Sequence, residues 1–419
     1  MKRITAFVLA ALTVLSLLAA CGEKEPETHK STTGFEEFEI TYFHGPQGWQ
    51  VTNRTFWEIA AEAGFTSVPL ESSSTEENKE ALGYFKELGL TCSALGDTRI
   101  SRLLSRSYSD EEMDARIKEV VEDYAEYADI IKGWLLKDEP NSDAEFAKLK
   151  RVVAAFRRVD PERNTFINLL PYWGIPPYEW AVDGIEPHYV CYDHYTLMAD
   201  GTVKPTHYQT AEAIRKVALD RGLDYMNICL LVQHMDYADL TRAQILWEVN
   251  VALTYGCKRV SYFTFMLPVE RDKGWDNAVV DIHALKMPHF DDVKAINALI
   301  MPLGKELFKK DSTAVFQLET DPDTIEAYCT AYESYGNLGK VSGDDFLIGF
   351  FSDDSFMITN KRWQEGDAGK NTVVFEEITS GLQYFDVGRS SWRNYNTKNA
   401  EGKYVYNAES GEGMLFRVK

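Results

Sequence analysis

The chain has 419 residues, 45% of them hydrophobic, 13% aromatic and 26% charged. That composition excludes a disulfide miniprotein, a disordered tail and a fibrous repeat, and the length suits one barrel-sized domain plus a smaller one. The net charge of −21 repels phosphate backbones, so nucleic acid is not expected as a partner.

Lys2 and Arg3 precede an apolar run from Ile4 to Ala20, and Leu17-Leu18-Ala19-Ala20-Cys21-Gly22 follows the pattern of a lipobox. A basic start, a short apolar core and small residues before the cut predict a secretory signal over 1–20, with Cys21 lipidated. The competing reading is a transmembrane anchor, but the run is short for a span and lacks basic residues on its far side. Acyl chains on Cys21 imply attachment to an extracytoplasmic membrane face. Residues 21–35 are polar and read as a tether. The remaining cysteines, Cys92, Cys191, Cys229, Cys257 and Cys329, are odd in number and show no CxxC spacing. They favour buried thiols over a disulfide framework or a zinc site.

From Phe38 the pattern alternates. Strands are expected at Phe38–Phe43, Phe65–Leu70, Leu90–Leu95, Ile131–Leu136, Asn164–Leu170, Tyr189–Tyr192, Tyr225–Val232 and Arg259–Phe265, all short apolar runs of the kind buried on both faces. Helices are expected at Thr52–Ala63, Glu76–Leu88, Asp110–Ile130, Ser142–Val159, Tyr208–Arg221, Thr241–Tyr255 and Asp291–Phe308, with a short one near Pro177–Ala181. Glycine follows several of them as a left-handed cap, and Ser109 heads another. Eight such units over 36–310 point to a (β/α)8 TIM barrel. An open doubly wound sheet and a two-lobed solute-binding protein are the competitors; the latter needs hinge crossings that the pattern does not show. After Lys310, short alternating segments at Ala314–Leu318, Ile325–Ala331, Asp345–Phe351, Phe356–Asn360, Thr372–Glu377 and Met414–Val418 suggest a small antiparallel β-sandwich domain over 311–419.

In such a barrel the reactive side chains sit at the C-terminal ends of the strands. Those ends carry His44, Asp97 and Arg99, then Asp138-Glu139-Pro140, then Tyr172 and Trp173. Asp193, His194 and Tyr195 follow, then Gln233 and His234. Carboxylates, histidines and aromatic faces together fit a sugar site. A carboxyl at the barrel mouth that apolar walls desolvate keeps its proton near neutral pH and can protonate a glycosidic oxygen. Glu139 is the expected acid, and Asp193 or Asp138 the second carboxylate. His44, Asp97, Arg99, Asn168, Tyr172, Trp173, His194, Tyr195, Gln233, His234 and Tyr262 are the expected sugar-binding residues. The plainer alternatives are helix capping for Asp138 and Glu139, and orientation of a neighbouring group for Asp193. The histidines have no HxH or HxxxH spacing, so no metal and no cofactor is expected.

Gly133-Trp134-Leu135-Leu136-Lys137-Asp138-Glu139-Pro140-Asn141 comes first in a series that continues with Ile167-Asn168-Leu169-Leu170-Pro171, Tyr192-Asp193-His194-Tyr195, Ala252-Leu253-Thr254-Tyr255-Gly256 and Ser261-Tyr262-Phe263-Thr264-Phe265. The series resembles bacterial secreted glycoside-hydrolase-like barrels related to the β-galactosidase-like members of clan A. Ser410-Gly411-Glu412-Gly413-Met414-Leu415-Phe416 resembles the closing strand of the sandwich that often follows them. The resemblance implies that Glu139 matches the acid/base of the clan's Asn-Glu-Pro motif, with Asp138 in place of the Asn. The clan's nucleophile, a Glu at the end of strand 7, has no counterpart in Leu231-Val232-Gln233-His234. Asp193 or Glu270 is then left as the partner carboxylate, or the barrel binds glycans without cleaving them. The expected function is a cell-surface or periplasmic glycoside hydrolase acting on a carbohydrate. The alternative is a non-catalytic glycan-binding lipoprotein of an uptake system.

Overall fold

The computed structural model describes residues 35–72, 74–172, 174–269 and 273–419. The signal segment, Cys21, most of the tether, Trp173 and Glu270 lie outside the described residues.

Eight parallel strands form one sheet: β1 (Glu39–Phe43), β2 (Ser67–Glu71), β3 (Thr91–Gly96), β4 (Gly133–Asp138), β5 (Asn164–Leu169), β6 (Val190–Asp193), β7 (Tyr225–Leu230) and β8 (Arg259–Phe263). From β2 to β8 each pairs with its sequence neighbours, and β1 pairs with β8 in the register Ile40↔Val260. The seam between β1 and β2 is joined by the Thr66 amide donating to the Ile40 carbonyl at 3.0 Å and by a bridge between Gln47 and Glu71. The ring is a TIM barrel. Its strands are near-continuous apolar runs because both faces are covered; every residue of β5 and of β7 is buried.

Nine helices among the described residues surround it: α1 (Arg54–Glu62), α2 (Thr75–Leu88), α3 (Thr98–Ser105), α4 (Asp110–Asp123), α5 (Asp143–Val159), α6 (Ile175–Ile185), α7 (His207–Asp220), α8 (Arg242–Tyr255) and α9 (His289–Phe308). Their starts follow local chemistry. Ser109 and Glu112 close a capping box on α4, and Thr241 and Gln244 close one on α8. Gly256, at φ 95°, ends α8 in a left-handed cap that a Cβ would strain.

The barrel floor is plugged. Arg259, buried on β8, is ion-paired with Glu39 of β1, and its guanidinium lies 4.2 Å from the centre of the Phe35 ring. Phe35, which the sequence reading leaves at the end of the tether, thereby packs against the barrel interior together with Tyr189.

A sandwich follows α9. A six-stranded sheet runs β15-β14-β17-β12-β11-β9, and a three-stranded sheet runs β10-β13-β16. The ranges are β9 (Ser312–Leu318), β10 (Val341–Ser342), β11 (Phe346–Phe351), β12 (Phe356–Asn360), β13 (Asn371–Phe375), β14 (Leu382–Asp386), β15 (Ser391–Tyr395), β16 (Tyr404–Ala408) and β17 (Gly413–Val418). Phe346, Ile348, Phe356, Ile358, Phe375 and Phe416 fill the space between the sheets. The opposite face of the larger sheet presents Leu347, Met357 and Leu415 to the barrel core. Helix α8 lies between the two bodies. Thr254 Oγ1 and Thr359 Oγ1 are 2.7 Å apart, and Asn250 Nδ2 donates to the Gly411 carbonyl at 2.9 Å. Covered on both sides, α8 is buried almost throughout and shows no amphipathic stripe.

Several expectations need correction. Residues 325–331 form no strand; a 3-10 turn at Pro322–Thr324 leads into irregular chain with a single bridge from Ala331 to Gln317. The helix expected over 110–130 ends at Asp123 and is followed by a short 3-10 turn, Ala125–Tyr127. Helix α3 and strands β10, β14, β15 and β16 were not expected. In β15, Ser-Trp-Arg-Asn-Tyr, no residue is fully buried, so no alternation marks it. The thiols of Cys92, Cys191, Cys229 and Cys257 are buried, as the apolar runs around them suggested, and Cys329 is partly buried.

The contact between barrel and sandwich is close enough to test. A Cβ at Gly349 on β11 would overlap the Thr254 carbonyl oxygen of α8. Gly349→Ala should therefore cost about 1–3 kcal/mol, read as a lower urea midpoint at unchanged slope.

Candidate active site

The side chains at the C-terminal ends of β4, β5 and β6 meet through one amide. Asn168 Nδ2 donates to Asp138 Oδ1 at 3.0 Å and to Asp193 Oδ1 at 2.7 Å. Its Oδ1 faces the Cys191 thiol at 3.6 Å, which sets the amide orientation. The Asn168 carbonyl accepts from the Glu139 backbone N–H at 2.9 Å. A single residue on β5 thus ties down all three acids. Glu139 follows β4 in the left-handed region, at φ 50°, a cost of roughly 1–3 kcal/mol for a non-glycine residue that the surrounding bonds must hold.

Burial raises the proton affinity of the whole group. Asp193 is pushed up to about 7, first by desolvation and then by the charges of Glu139 and Asp138, against the Asn168 hydrogen bond. Glu139 is raised by desolvation and by Asp138, while Lys273 opposes the shift. Asp138 is also raised by desolvation, opposed by Asn168, Lys137 and His44. Asp138 and Glu139 are both open to solvent in the barrel mouth, yet protein surrounds them on their other sides. Only Asp193 is shut away, with 8% of its surface accessible.

Two adjoining cavities meet at Asp138. One, of about 710 Å³, is bounded by Asp138, Glu139, Asn168 and Asp193 and walled by His194, Tyr195, His234, Tyr237, Phe263 and Trp275. The other, of about 530 Å³, contains His44, Gln47, Glu71 and Lys137 and shares Asp138, Phe263, Lys273 and Trp275 with the first. The aromatic wall is itself packed. Tyr195 stacks on Phe263 at 5.5 Å between ring centres, and His234 stacks on Trp275 at 4.6 Å. His234 Nδ1 lies 2.9 Å from the Val232 carbonyl, so that nitrogen carries the proton and Nε2 has a free lone pair. Burial lowers the His234 pKa and takes His194 down to about 4, so both are neutral at pH 7.

The structure brings Glu139, Asp193, Asp138, His44, Asn168, His194, Tyr195 and His234 to these cavities. It does not bring the remaining described candidates there. Asp97 caps α3 and is tied to Arg99 and to the Tyr124 hydroxyl, while Arg99 also reaches Asp123. They form a structural ion pair. Tyr262 is buried outside the ring and donates to Asn297 of α9 at 2.9 Å. Gln233 pairs through its backbone with Asp276 and lines neither cavity, and Tyr172 donates to the Pro140 carbonyl at 2.6 Å. In β-strands adjacent residues face opposite sides, and the strand-end rule alone does not say which side each one takes.

Glu71 was missed, although it ends β2 by the same rule. Desolvation and the charge of Asp138 raise its proton affinity, and Gln47 Nε2 bridges it to His44 at 3.3 and 3.2 Å. Lys204, Tyr237, Lys273 and Trp275 come from loops and carry no pattern. Among the described residues one carboxylate group, Glu319, Asp344 and Asp345, is close enough to share a cation. It lies on the sandwich, is engaged by Lys361 and Arg362, and lines neither cavity.

No protein-family model matches the sequence, and no curated protein does. Solved structures do match the fold. A catalytic mutant of a GH42 β-galactosidase from G. stearothermophilus aligns over 94% of this chain and 99% of its own, with a TM-score of 0.61 and 8% identity. A family 5 glycoside hydrolase from Bacteroides vulgatus aligns over 94% and 91%, at 0.58 and 9%. This chain shares their fold, a parallel eight-stranded barrel followed by antiparallel sheets. A cold-adapted β-galactosidase from a Rahnella species covers 69% of this chain at 0.54 and 10% identity, and the match spans 59% of that enzyme's length.

The burial of Asp193 has a measurable sign. Its folded pKa of about 7 lies above its unfolded value near 4, so the folded state holds the proton more tightly. This acid therefore costs nothing below about pH 4, and its penalty grows as pH rises towards 7. Asp193→Asn should stabilise the protein by roughly 2–4 kcal/mol at pH 8 and leave it unchanged at pH 4, read by thermal unfolding across that range.

Proposed function

We propose that this protein is a glycoside hydrolase, held by lipid on Cys21 to an extracytoplasmic membrane face, that cleaves oligo- or polysaccharide with Glu139 as general acid. The observation that carries the reading is the Asn168 clamp. It sets three acids of raised proton affinity around the larger cavity, beside an aromatic wall, with Asp138 at the junction with the second cavity. Glu139 is open to the larger cavity and can hand its proton to a glycosidic oxygen. Asp138 and Asp193, bound to one amide nitrogen, disfavour a second negative charge between them. Lys137 and His44 favour that charge on Asp138, and burial leaves the proton on Asp193. Asp138 is then the carboxylate that meets the positive charge developing at the anomeric carbon. This arrangement takes the place of the Glu that related barrels carry after strand 7. The neutral His194 and His234, with Tyr195 and Trp275, offer hydrogen bonds and ring faces to a sugar.

Glu139→Gln should lower turnover of aryl glycosides at least about a hundredfold while glycan binding persists. Undiminished turnover overturns the assignment. Binding without product release by the wild-type chain identifies a glycan-binding lipoprotein instead. Cys21→Ser should move the protein from the membrane fraction to the soluble extracytoplasmic fraction, and unchanged membrane recovery would refute the anchor.

A further inference from the structure

The two cavities over the acids do not end the open surface of the barrel mouth. A third, of about 360 Å³, adjoins the second and shares Gln47, Glu71, Leu135 and Leu136 with it. The three run in sequence from the β6–β7 side, across the acids, to the β2–β3 side. Asp138 stands at the first junction, and Glu71 with Gln47 stands at the second. Each is of a size that holds a small ligand. Beside the far end lies the turn Gly48–Thr52, which begins directly after Gln47. It carries Trp49 with 72% of its surface accessible, the most exposed large apolar residue among those described. A tryptophan is usually buried over most of its area, and solvent rejects its rings. Here it directly follows Gln47 and Gly48, which line the third cavity, so a sugar chain leaving that cavity would meet it.

We infer that the mouth is an open groove that holds an oligosaccharide chain, with sugar rings on both sides of Asp138 and Trp49 as the outermost stacking platform. The proposal rests on the hydrolase reading and extends it. A closed pocket admits one terminal sugar, whereas a groove open past the acids admits internal linkages. In cleavage, the bond from the anomeric carbon to the glycosidic oxygen breaks. The oxygen takes the proton of Glu139, and water supplies hydroxyl to the anomeric carbon and a proton back to the carboxylates.

The test uses the whole protein with end-labelled β-linked gluco-, manno- and galacto-oligosaccharides, from disaccharide to hexasaccharide, and with the matching aryl monosaccharide glycosides. For wild type, KM should fall as the chain lengthens, and products should include internal fragments. Trp49→Ala should raise KM about tenfold for the hexasaccharide and leave the aryl glycoside unchanged. Release of terminal monosaccharide alone, or an equal effect of Trp49→Ala on long and short substrates, overturns the groove. Retardation in native gels containing soluble β-glucan, galactomannan or arabinogalactan separates the two claims. If the wild type is retarded, Trp49→Ala less so, and no substrate is cleaved, the hydrolase reading fails while the groove stands. If nothing is cleaved and neither form is retarded, the groove fails too.

Discussion

Everything at the barrel mouth depends on one side-chain amide. Asn168 is buried, and a buried amide must spend its two N–H groups on acceptors. Its acceptors are two carboxylates from neighbouring strands, while its own carbonyls are occupied by the Cys191 thiol and the Glu139 backbone. Without these donors Asp138 and Asp193 would repel each other, while the main-chain carbonyl of the same residue holds the left-handed backbone of Glu139. The amide supplies no charge of its own. It therefore brings the acids together without a countercharge, and its hydrogen bonds only partly offset the desolvation that raises their proton affinities. An arginine in the same place would have held them ionised.

A second constraint lies outside the ring. Helix α8 follows β7 and is buried by the barrel on one side and by the sandwich on the other. It also contributes Glu248, a fully enclosed acid raised by burial to about 8 and therefore neutral at pH 7. The sandwich works as a brace on the β7–β8 side of the barrel. The loops that supply His234 and Trp275 leave the barrel from that side, and their packing with each other and with Phe263 at the end of β8 makes a stiff wall. Rigid aromatic faces opposite a clamped acid cluster would give a bound ligand little freedom to misalign.

The two ends of the groove differ in chemistry. The β6–β7 end is rich in histidine and aromatic rings, with Lys204 held over Tyr237 at 4.5 Å. The β2–β3 end is lined by small and polar groups, and its buried Asp97 is already spent on Arg99 and Tyr124. Aromatic rings and histidines are thus concentrated on one side of the acids, and small polar side chains on the other.

The barrel was legible in the sequence because its signal is local. A strand buried on both faces must be an apolar run, and a helix must begin and end with chemistry that satisfies its free N–H and C=O groups. The eight strands and most helices followed from that, as did the acids after β4 and β6. Position on a strand end does not say which way a side chain turns or what already holds it. Asp97, Arg99 and Tyr262 have the chemistry of a sugar site but are engaged elsewhere, and Glu71 ends β2 inside the site. The edge strand β15 and the loop residues Lys273 and Trp275 carry no period at all. By itself the sequence determined the eight strands of the barrel and the acids at the ends of β4 and β6. Only the tertiary structure decided which of those acids share a cavity, because that depends on hydrogen bonds between residues far apart in the chain, such as those from Asn168 to Asp138 and Asp193.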